Sequence, residues 1–383
     1  MPKSNTPSFK GKTEPVEVKG TQTKAKVYTN NFDWKTYNQI RLICSHPVLK
    51  DVSVRIMPDT HAGADSVVGF SAPVGETGKV IPGLISGDIG CGMLCVNIDT
   101  KGEDIDFDKL DHVIREHVSS SRGKTPDCLN IHSKKIEKDV KGLCKDKYKI
   151  SYDKTVSTLG TLGGGNHFIE IDKDDDGELY LVVHTGSRHF GKEVYDYHQG
   201  VALEQNPYSM KEWSYLSGDE AKDYLEDMRI AVKYSQVNRR IIADEIMKQM
   251  GWSEKDSFES VHNYISKDGI IRKGAISAKK GKRMIIPLNM RDGAIIAIGK
   301  GNKEWNETAP HGAGRKLSRS AASDELSLDE YKSTMKGIYS TCIKQSTIDE
   351  SPMAYKNSDE IAEEIEDTAE IEKRIKPVYN FKD

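Results

Sequence analysis

The chain has 383 residues, of which 36% are hydrophobic and 7% aromatic, and its formal net charge at pH 7 is −3. This length suffices to bury a core in one large domain or two smaller ones, and no apolar run approaches the roughly 20 residues that cross a membrane. The near-neutral charge excludes a polycationic protein, so any nucleic-acid site must be a local patch.

Residues 1–24 are rich in lysine, serine, threonine and proline and lack the apolar core of a signal peptide. We interpret them as a flexible leader, followed by one domain over residues 25–383 of a soluble, cytoplasmic protein. Without an export signal the thiols are expected to stay reduced, and at least one is a candidate metal ligand. The six cysteines are Cys44, Cys91, Cys95, Cys128, Cys144 and Cys342.

Strands are predicted in three stretches. Residues 52–96 contain short apolar runs broken by glycine and proline, a pattern typical of strands joined by tight turns. Residues 180–184 and 283–287 are typical of buried strands, and each runs into a polar loop. Loops at strand ends are where functional sites are commonly built, so these two loops are candidates.

Helices are predicted in two further stretches. Residues 217–220 have the sequence of a capping box, and apolar side chains follow at near-helical spacing until Gly251. These side chains are Tyr224, Met228, Ala231, Tyr234, Val237 and Ile241. The acid-rich residues 358–373 are interpreted as a solvated amphipathic helix without a catalytic role. Because no internal repeat or low-complexity linker is visible, we predict a single compact α+β domain with a strand-rich core surrounded by helices.

The first candidate site lies in residues 86–93, where Asp88 and Cys91 are separated by two residues and flanked by three glycines. This spacing can direct a carboxylate and a thiolate at one ion, and glycine allows the positive φ of such a tight turn. A buried cysteine in a plain turn explains this motif alone equally well.

Three histidines in polar loops extend the candidate site: His167 after three glycines, His184 at the end of an apolar strand, and His262 beside an asparagine. Singly, each is more often a hydrogen-bonded structural residue than a ligand. Together with Asp88 and Cys91 they form a donor set large enough for two metal ions that share a ligand. Thiolate and imidazole donors favour zinc, with manganese, iron or nickel next, so the donor types leave the metal open.

A separate candidate is the loop of residues 310–315, in which small residues beside His311 would let a phosphate approach the ring. Arg315 could hold the phosphate oxygens, and a neutral imidazole can attack phosphorus. Such a loop also occurs without any function. The remaining histidines are interpreted as surface or structural residues: His46, His112, His117, His132, His189 and His198.

Six motifs, taken in order, resemble those of the RtcB family of RNA-splicing and RNA-repair ligases. The likeness runs from about Val52 to the C-terminus. The motifs are Met57-Pro58-Asp59-Thr60-His61, Gly87-Asp88-Ile89-Gly90-Cys91-Gly92-Met93, Gly165-Asn166-His167-Phe168-Ile169-Glu170, His184-Thr185-Gly186-Ser187-Arg188, His262-Asn263-Tyr264 and His311-Gly312-Ala313-Gly314-Arg315.

This resemblance implies a compact α+β fold, GTP as cosubstrate and two Mn²⁺ ions, with Cys91 bridging the ions and His311 accepting GMP. The implied metal ligands are Asp88, Cys91, His167, His184 and His262. The implied guanylate contacts are Asn166, Glu170, Asn263, Asn289, Met290, His311, Gly312, Ala313, Gly314 and Lys382.

The implied reaction joins an RNA 3′-phosphate, or a 2′,3′-cyclic phosphate opened first by hydrolysis, to a 5′-hydroxyl through a histidine–GMP intermediate. We expect a monomer without membrane contact, and the resemblance leaves room for an activating protein partner. Asn238, Arg239 and Arg240 of the long helix are interpreted as RNA-phosphate contacts, with a solvated helix face as the alternative.

The chain also departs from the family pattern. Leu288 and Asn289 stand where the family commonly has glycine and serine, and Ala294 stands where a guanylate-contacting serine is expected. The chain closes on Phe381-Lys382-Asp383 where the family usually closes on Lys-Gly. These differences indicate a divergent branch, in RNA repair or tRNA splicing. The competing readings are a metal-dependent RNA-end phosphatase or cyclic phosphodiesterase without sealing, and a metal-stabilised RNA-binding protein.

Overall fold

The computed structural model describes residues 14–101, 105–118, 134–148, 150–207 and 210–382. It has the predicted α+β architecture, with three sheets and helices packed around them. The strands are β1 Val16–Lys19, β2 Lys24–Val27, β3 Val54–His61, β4 Val68–Pro73, β5 Gly92–Lys101, β6 Phe168–Lys173, β7 Glu178–Thr185, β8 Glu254–Val261, β9 Asn263–Ile265, β10 Ile270–Lys273, β11 Ala275–Ser277, β12 Arg283–Asn289, β13 Gly293–Gly299, β14 Thr308–Pro310 and β15 Ala369–Phe381.

The α-helices in the described ranges are α1 Trp34–Ile43, α2 Phe107–His117, α3 Lys134–Asp146, α4 Tyr152–Val156, α5 Arg188–Gln205, α6 Gly218–Met250, α7 Arg319–Glu325, α8 Leu328–Thr334 and α9 Ser358–Glu364. Short 3-10 helices cover Pro47–Leu49, Pro82–Leu84, Lys211–Trp213, Lys303–Trp305, Gln345–Glu350 and Pro352–Ala354. Among these described helices, none combines the length and apolar character needed to cross a bilayer.

Two of the three sheets are large. One has six strands in the order β1-β2-β3-β4-β10-β9, and the other has seven in the order β12-β13-β15-β6-β7-β5-β8. Their strand pairs are antiparallel except for the parallel pair β2 and β3. β11 and β14 form a separate two-stranded sheet.

The long helix α6 joins the cores of the two large sheets. Tyr224 and Met228, in its first half, belong to the apolar cluster under the six-stranded sheet. Ile242 and Ile246, in its second half, pack into the cluster behind β5, β6 and β7. The predicted helix and its buried apolar face are confirmed, and it ends at Gly251 in the left-handed conformation. The predicted capping box is wrong, because the Ser217 side chain accepts no capping hydrogen bond.

The prediction of one helix over residues 358–373 is wrong. α9 ends at Glu364, with Ile361 and Ile365 buried, and the acid-rich residues that follow enter β15 between β13 and β6. Cross-strand partners outweigh helix propensity there: Lys373 donates to Asp174 at 2.9 Å, and Glu372 pairs with Arg283 at 3.1 Å.

The predicted leader, residues 1–24, overlaps the first strand of the fold. β1 pairs with β2 from Val16 to Lys19, so part of this segment belongs to the six-stranded sheet. Residues 1–13 lie outside the described ranges. The described cysteines are free thiols, as predicted: Cys44, Cys91, Cys95, Cys144 and Cys342. Cys128 lies outside the described residues.

Candidate active site

The ends of four strands of the seven-stranded sheet bring the predicted metal-ligand candidates together. Gly92 at the start of β5 pairs with Thr185 at the end of β7 and with Val261 at the end of β8. Phe168, which opens β6, pairs with His184. The candidates that lie in or next to these pairs therefore meet at one end of these neighbouring strands. They are Cys91, His167, His184 and His262.

Cys91 lies at the centre of this cluster. Its Sγ is 3.5 Å from Nε2 of His167 and 3.4 Å from Nε2 of His184. Donor atoms of two trios lie within 4.8 Å of one another, and Cys91 belongs to both. The trios are Asp88, Cys91 and His167, and Cys91, His184 and His262. Each trio could hold a metal ion, and the two trios share the Cys91 thiol.

The electrostatics of the cluster favour neutral imidazoles. Burial lowers the pKa of His167 to about 4 and holds the pKa of His184 and of His262 well below the usual value. Each ring therefore keeps a lone pair for a metal. Nδ1 of His262 is buried without a hydrogen-bond partner in the part of the chain that the structure describes.

The thiol at the centre needs a cation to ionise. Burial, and then the neighbouring Asp88 carboxylate, raises the pKa of Cys91 well above its usual value. A bound metal ion would reverse this, because coordination deprotonates a thiol outright. The donor types, their spacing and the unpartnered His262 nitrogen thus fit a pair of metal ions.

Glycine allows the Asp88–Cys91 turn to press against α6. Gly90 has φ +74°, and a Cβ there would lie 2.5 Å from Oγ of Ser235 on α6. Ser235 donates its hydroxyl hydrogen to the Gly90 carbonyl at 2.7 Å. The close approach of a helix and a left-handed turn explains the glycine.

The prediction that Asn238, Arg239 and Arg240 contact RNA is wrong for the first two. Arg239 is fully buried; it donates to the carbonyls of Gly90 and Thr185 and pairs with Glu259 at 2.9 Å. Asn238 is also buried, donates to the carbonyls of Thr161 and Gly186, and accepts from the Gly160 amide. Both side chains brace the loops that carry the ligand candidates.

Arg240 is partly exposed, unlike Asn238 and Arg239. Its guanidinium contacts Asp244 at 2.5 Å and Glu254 at 2.6 Å. Two carboxylates therefore already neutralise the charge that an RNA phosphate would use.

His311 lies next to the metal-ligand candidates, and its ring centroid is 4.8 Å from that of His262. Its Nδ1 is 2.6 Å from Oδ2 of Asp59, a fully buried carboxylate on β3. The same oxygen accepts the backbone N–H groups of His311 and Gly312 at 3.1 and 3.2 Å. Asp59 thus fixes the ring and its loop, and because a carboxylate accepts, it places the proton on Nδ1.

A cavity of about 590 Å³ opens beside His311. Eight of the ten predicted guanylate contacts line it, together with His184 and His262. The eight are Asn166, Glu170, Asn289, Met290, His311, Gly312, Gly314 and Lys382. The other two lie outside its lining, since Asn263 donates to Asp88 at 3.2 Å and Ala313 is buried in an apolar cluster.

The residues that depart from the family pattern are accommodated by packing. Leu288 and Ala294 are buried in apolar clusters. Oδ1 of Asn289 accepts the backbone N–H groups of Arg291 and Asp292, each at 3.0 Å. The side chain of Asn289 therefore stabilises its own turn at the cavity wall.

Glu350 was not predicted, although it anchors the charged side of the cavity. It is buried; one oxygen contacts Nζ of Lys382 at 3.0 Å and the other Nη1 of Arg319 at 2.6 Å. Tyr355 donates its hydroxyl hydrogen to Glu350 at 2.7 Å. Burial alone would raise the pKa of Glu350, but the charges of Lys382 and Arg319 lower it to about 2. This carboxylate holds Lys382 at the cavity.

We expect Glu350→Gln to lower the free energy of unfolding at pH 7 by about 3 kcal/mol. A carboxyl with a depressed pKa stabilises the fold above its unfolded pKa, and this contribution disappears as the pH falls from about 4.5 toward 2. Denaturant titrations at pH 7 and pH 3 measure the difference, which should shrink at the lower pH. The exposed Glu363→Gln is the matched control, and equal pH dependence of wild type and Glu350→Gln would contradict the assignment.

Most other histidines have the structural or surface roles that were predicted. His112 and His189 pair with glutamates four residues along their helices, at 3.1 and 2.9 Å, and His46 accepts the Val48 amide. His198 is buried and lies 2.8 Å from Asp227. His132 lies outside the described residues.

Comparison with known proteins gives one consistent result. Residues 39–383 match the family described as tRNA-splicing ligase RtcB. The chain is 29% identical to the RNA-splicing ligase RtcB of Escherichia coli K12, over 83% of this chain and 87% of that protein. It is 26% identical to the tRNA-splicing ligase RtcB of Aeropyrum pernix, over 80% and 83%. The tRNA-splicing ligase RtcB of Methanococcus maripaludis is 25% identical over 91% of each chain.

Proposed function

Because the chain belongs to the RtcB family and is an RNA ligase, we propose that it seals RNA with GTP as cosubstrate and two Mn²⁺ ions as cofactors. It joins a 3′-phosphate, or a 2′,3′-cyclic phosphate opened first by hydrolysis, to a 5′-hydroxyl. A cytoplasmic role in RNA repair or tRNA splicing is part of the same proposal.

The observation that carries this proposal is the pairing of His311 with Asp59. Since Asp59 accepts the Nδ1 proton at 2.6 Å, the lone pair of the ring is on Nε2. His311 also lines the cavity, so a triphosphate can reach it. An imidazole that a carboxylate holds in one orientation beside a phosphate-sized space is suited, in its neutral form, to nucleophilic attack on phosphorus.

The reaction then proceeds in three transfers. Nε2 of His311 attacks the α-phosphorus of GTP, a P–N bond forms, and the bond to pyrophosphate breaks. An oxygen of the RNA 3′-phosphate next attacks the same phosphorus and frees the imidazole. The 5′-hydroxyl finally attacks the activated 3′-phosphate, GMP leaves, and the hydroxyl proton is lost to solvent or a nearby base. Asp59 holds the Nδ1 proton throughout and stabilises the charge that develops on the ring.

The metal ions would be held by Asp88, Cys91, His167, His184 and His262. When bound, they polarise phosphate oxygens and neutralise the charge that develops during phosphoryl transfer. The neutral imidazoles and the shared thiol position described above support this assignment. The choice of manganese rests on the resemblance to the RtcB family, because the donor types alone leave the metal open.

The guanylate would lie in the cavity beside His311. Lys382 and Glu170 offer an ammonium and a carboxyl group there; Glu350 holds Lys382, and Asn380 donates to Glu170, whose pKa burial raises to about 7. A base with both carbonyl and N–H edges can pair with such a couple. Leu288 and Asn289, where the chain departs from the family pattern, both line this cavity, and Leu288 packs in an apolar cluster.

A single assay tests the function. Purified protein is incubated with GTP, Mn²⁺ and an RNA that carries a 2′,3′-cyclic phosphate and a 5′-hydroxyl. We expect circular RNA to form, and its formation to require GTP. An opened 3′-phosphate end without sealed product would instead favour the hydrolase reading.

A further inference from the structure

An exposed tryptophan lies between two residues that line the cavity. Trp34 is the first residue of α1 and is 72% exposed, the largest value among the exposed large apolar side chains of the described residues. Its ring stacks on Tyr37, with centroids 5.1 Å apart and planes inclined by 10°. Its two neighbours in sequence, Asp33 and Lys35, line the cavity. An exposed aromatic pair beside a functional cavity indicates a contact surface.

The helix that carries Trp34 is fixed to the cavity wall. Gln39 of α1 donates to the Gly63 carbonyl at 2.9 Å and accepts the Gly63 amide at 3.1 Å. Gly63 itself lines the cavity. Ile40 and Ile43 of α1 are buried in the apolar core and hold the helix in place. The position of the ring relative to the cavity is therefore set by the fold.

The charged residues near Trp34 indicate where a base and where its phosphates could bind. Lys35 and Lys316 are exposed and line the cavity, so they can attract phosphates. Asp33, beside the ring, keeps its negative charge because hydrogen bonds from Thr36 lower its pKa against the opposing effect of burial. Arg319 is already paired with Asp349 and Glu350. The Asp33 carboxylate thus disfavours a phosphate on one side of Trp34, whereas Lys35 can attract one on the other side, and the uncharged ring face is left for a base.

We propose that Trp34, backed by Tyr37, is a stacking platform for a base of single-stranded RNA close to the end that is joined. Lys35 and Lys316 would hold the adjoining phosphates. This inference rests on the proposed function for the identity of the substrate. It adds a recognition site that needs no particular base, because every base has a face that can stack on an aromatic ring.

The test measures the affinity of a short 3′-phosphorylated RNA without GTP, for wild type, Trp34→Ala, Trp34→Phe and Leu42→Ala. We expect Trp34→Ala to weaken binding about tenfold, and Trp34→Phe to restore most of it. Leu42 is half-exposed farther along the same helix, so Leu42→Ala should bind as wild type does. Circular dichroism checks that each variant is folded.

A series of RNAs, each with one abasic nucleotide near the 3′ end, identifies stacking directly. One abasic position should weaken binding to wild type about tenfold but add nothing to the loss in Trp34→Ala. Unchanged affinity of Trp34→Ala, or losses that add, would overturn the proposal. So would a change of oligomeric mass in Trp34→Ala without a change in RNA affinity. Self-labelling of wild type with GTP tests the ligase chemistry separately, so the two failures are distinguishable.

Discussion

Replacing His311 with alanine should abolish covalent labelling of the protein by GTP that carries radioactive α-phosphate. Wild type, given Mn²⁺ and no RNA, should retain the label as a phosphoramidate that survives mild alkali and is lost in acid. Removal of a nucleophile costs more than about 10³-fold in rate, so labelling and sealing should both fall below detection. Gel autoradiography after acid or alkali treatment measures how much label remains on the protein and so identifies the type of bond.

The control for this variant is His112→Ala, which changes an exposed histidine of α2 and should label as wild type does. Metal content of His311→Ala should stay close to that of wild type, because His311 is proposed as nucleophile rather than ligand. An acid-stable label would indicate a phosphate ester. Ser318, which lines the cavity, would then replace His311 as the acceptor, whereas Ser187 is buried and donates to the Ile89 carbonyl.

The second large effect concerns Cys91. Cys91→Ala removes the one donor that both trios share, so we expect both Mn²⁺ ions to bind more than about 100-fold more weakly. Self-labelling and sealing should fall with them. Elemental analysis after dialysis, together with Mn²⁺ titration, measures the loss.

The matched control is Cys95→Ala, because Cys95 is a buried thiol of β5 that packs among apolar side chains. It should keep its metal. Cys128, the control that the sequence suggested, lies outside the described residues. Equal metal content in Cys91→Ala and Cys95→Ala would remove Cys91 from the site.

The clustering of Cys91, His167, His184 and His262 could be predicted from sequence because each lies at or next to the end of a strand. The strand before His184 and the glycine-rich turn around Cys91 were both visible, and antiparallel register then brings such ends together. The resemblance supplied the grouping across the chain. Neither the local strand patterns nor the resemblance depended on the order of the strands in the sheet. No local sequence pattern contains that order.

Residues whose role depends on distant partners were missed or misread. Asp59 lies 252 positions before His311, and the motif that contains it gave no sign of that contact. Arg239 looked like a solvated cation because helical spacing does not reveal the loops that cover it. Residues 369–373 favour a helix locally, yet they complete a sheet whose other strands are far away in sequence. Tertiary pairing decided each case.

The position of β15 has a consequence for the order in which the protein folds. β6 and β7, which bring His167 and His184 together, form a hairpin with a short connection, whereas the pairing of β5 with β8, which adds Cys91 and His262, closes a loop of about 160 residues. β15 must insert between β6 and β13, and its pairing with β6 closes a loop of about 200 residues. Short loops close before long ones. We therefore expect a folding intermediate in which the β6–β7 hairpin has already brought His167 and His184 together but which still lacks β15, Lys382 and the finished nucleotide cavity.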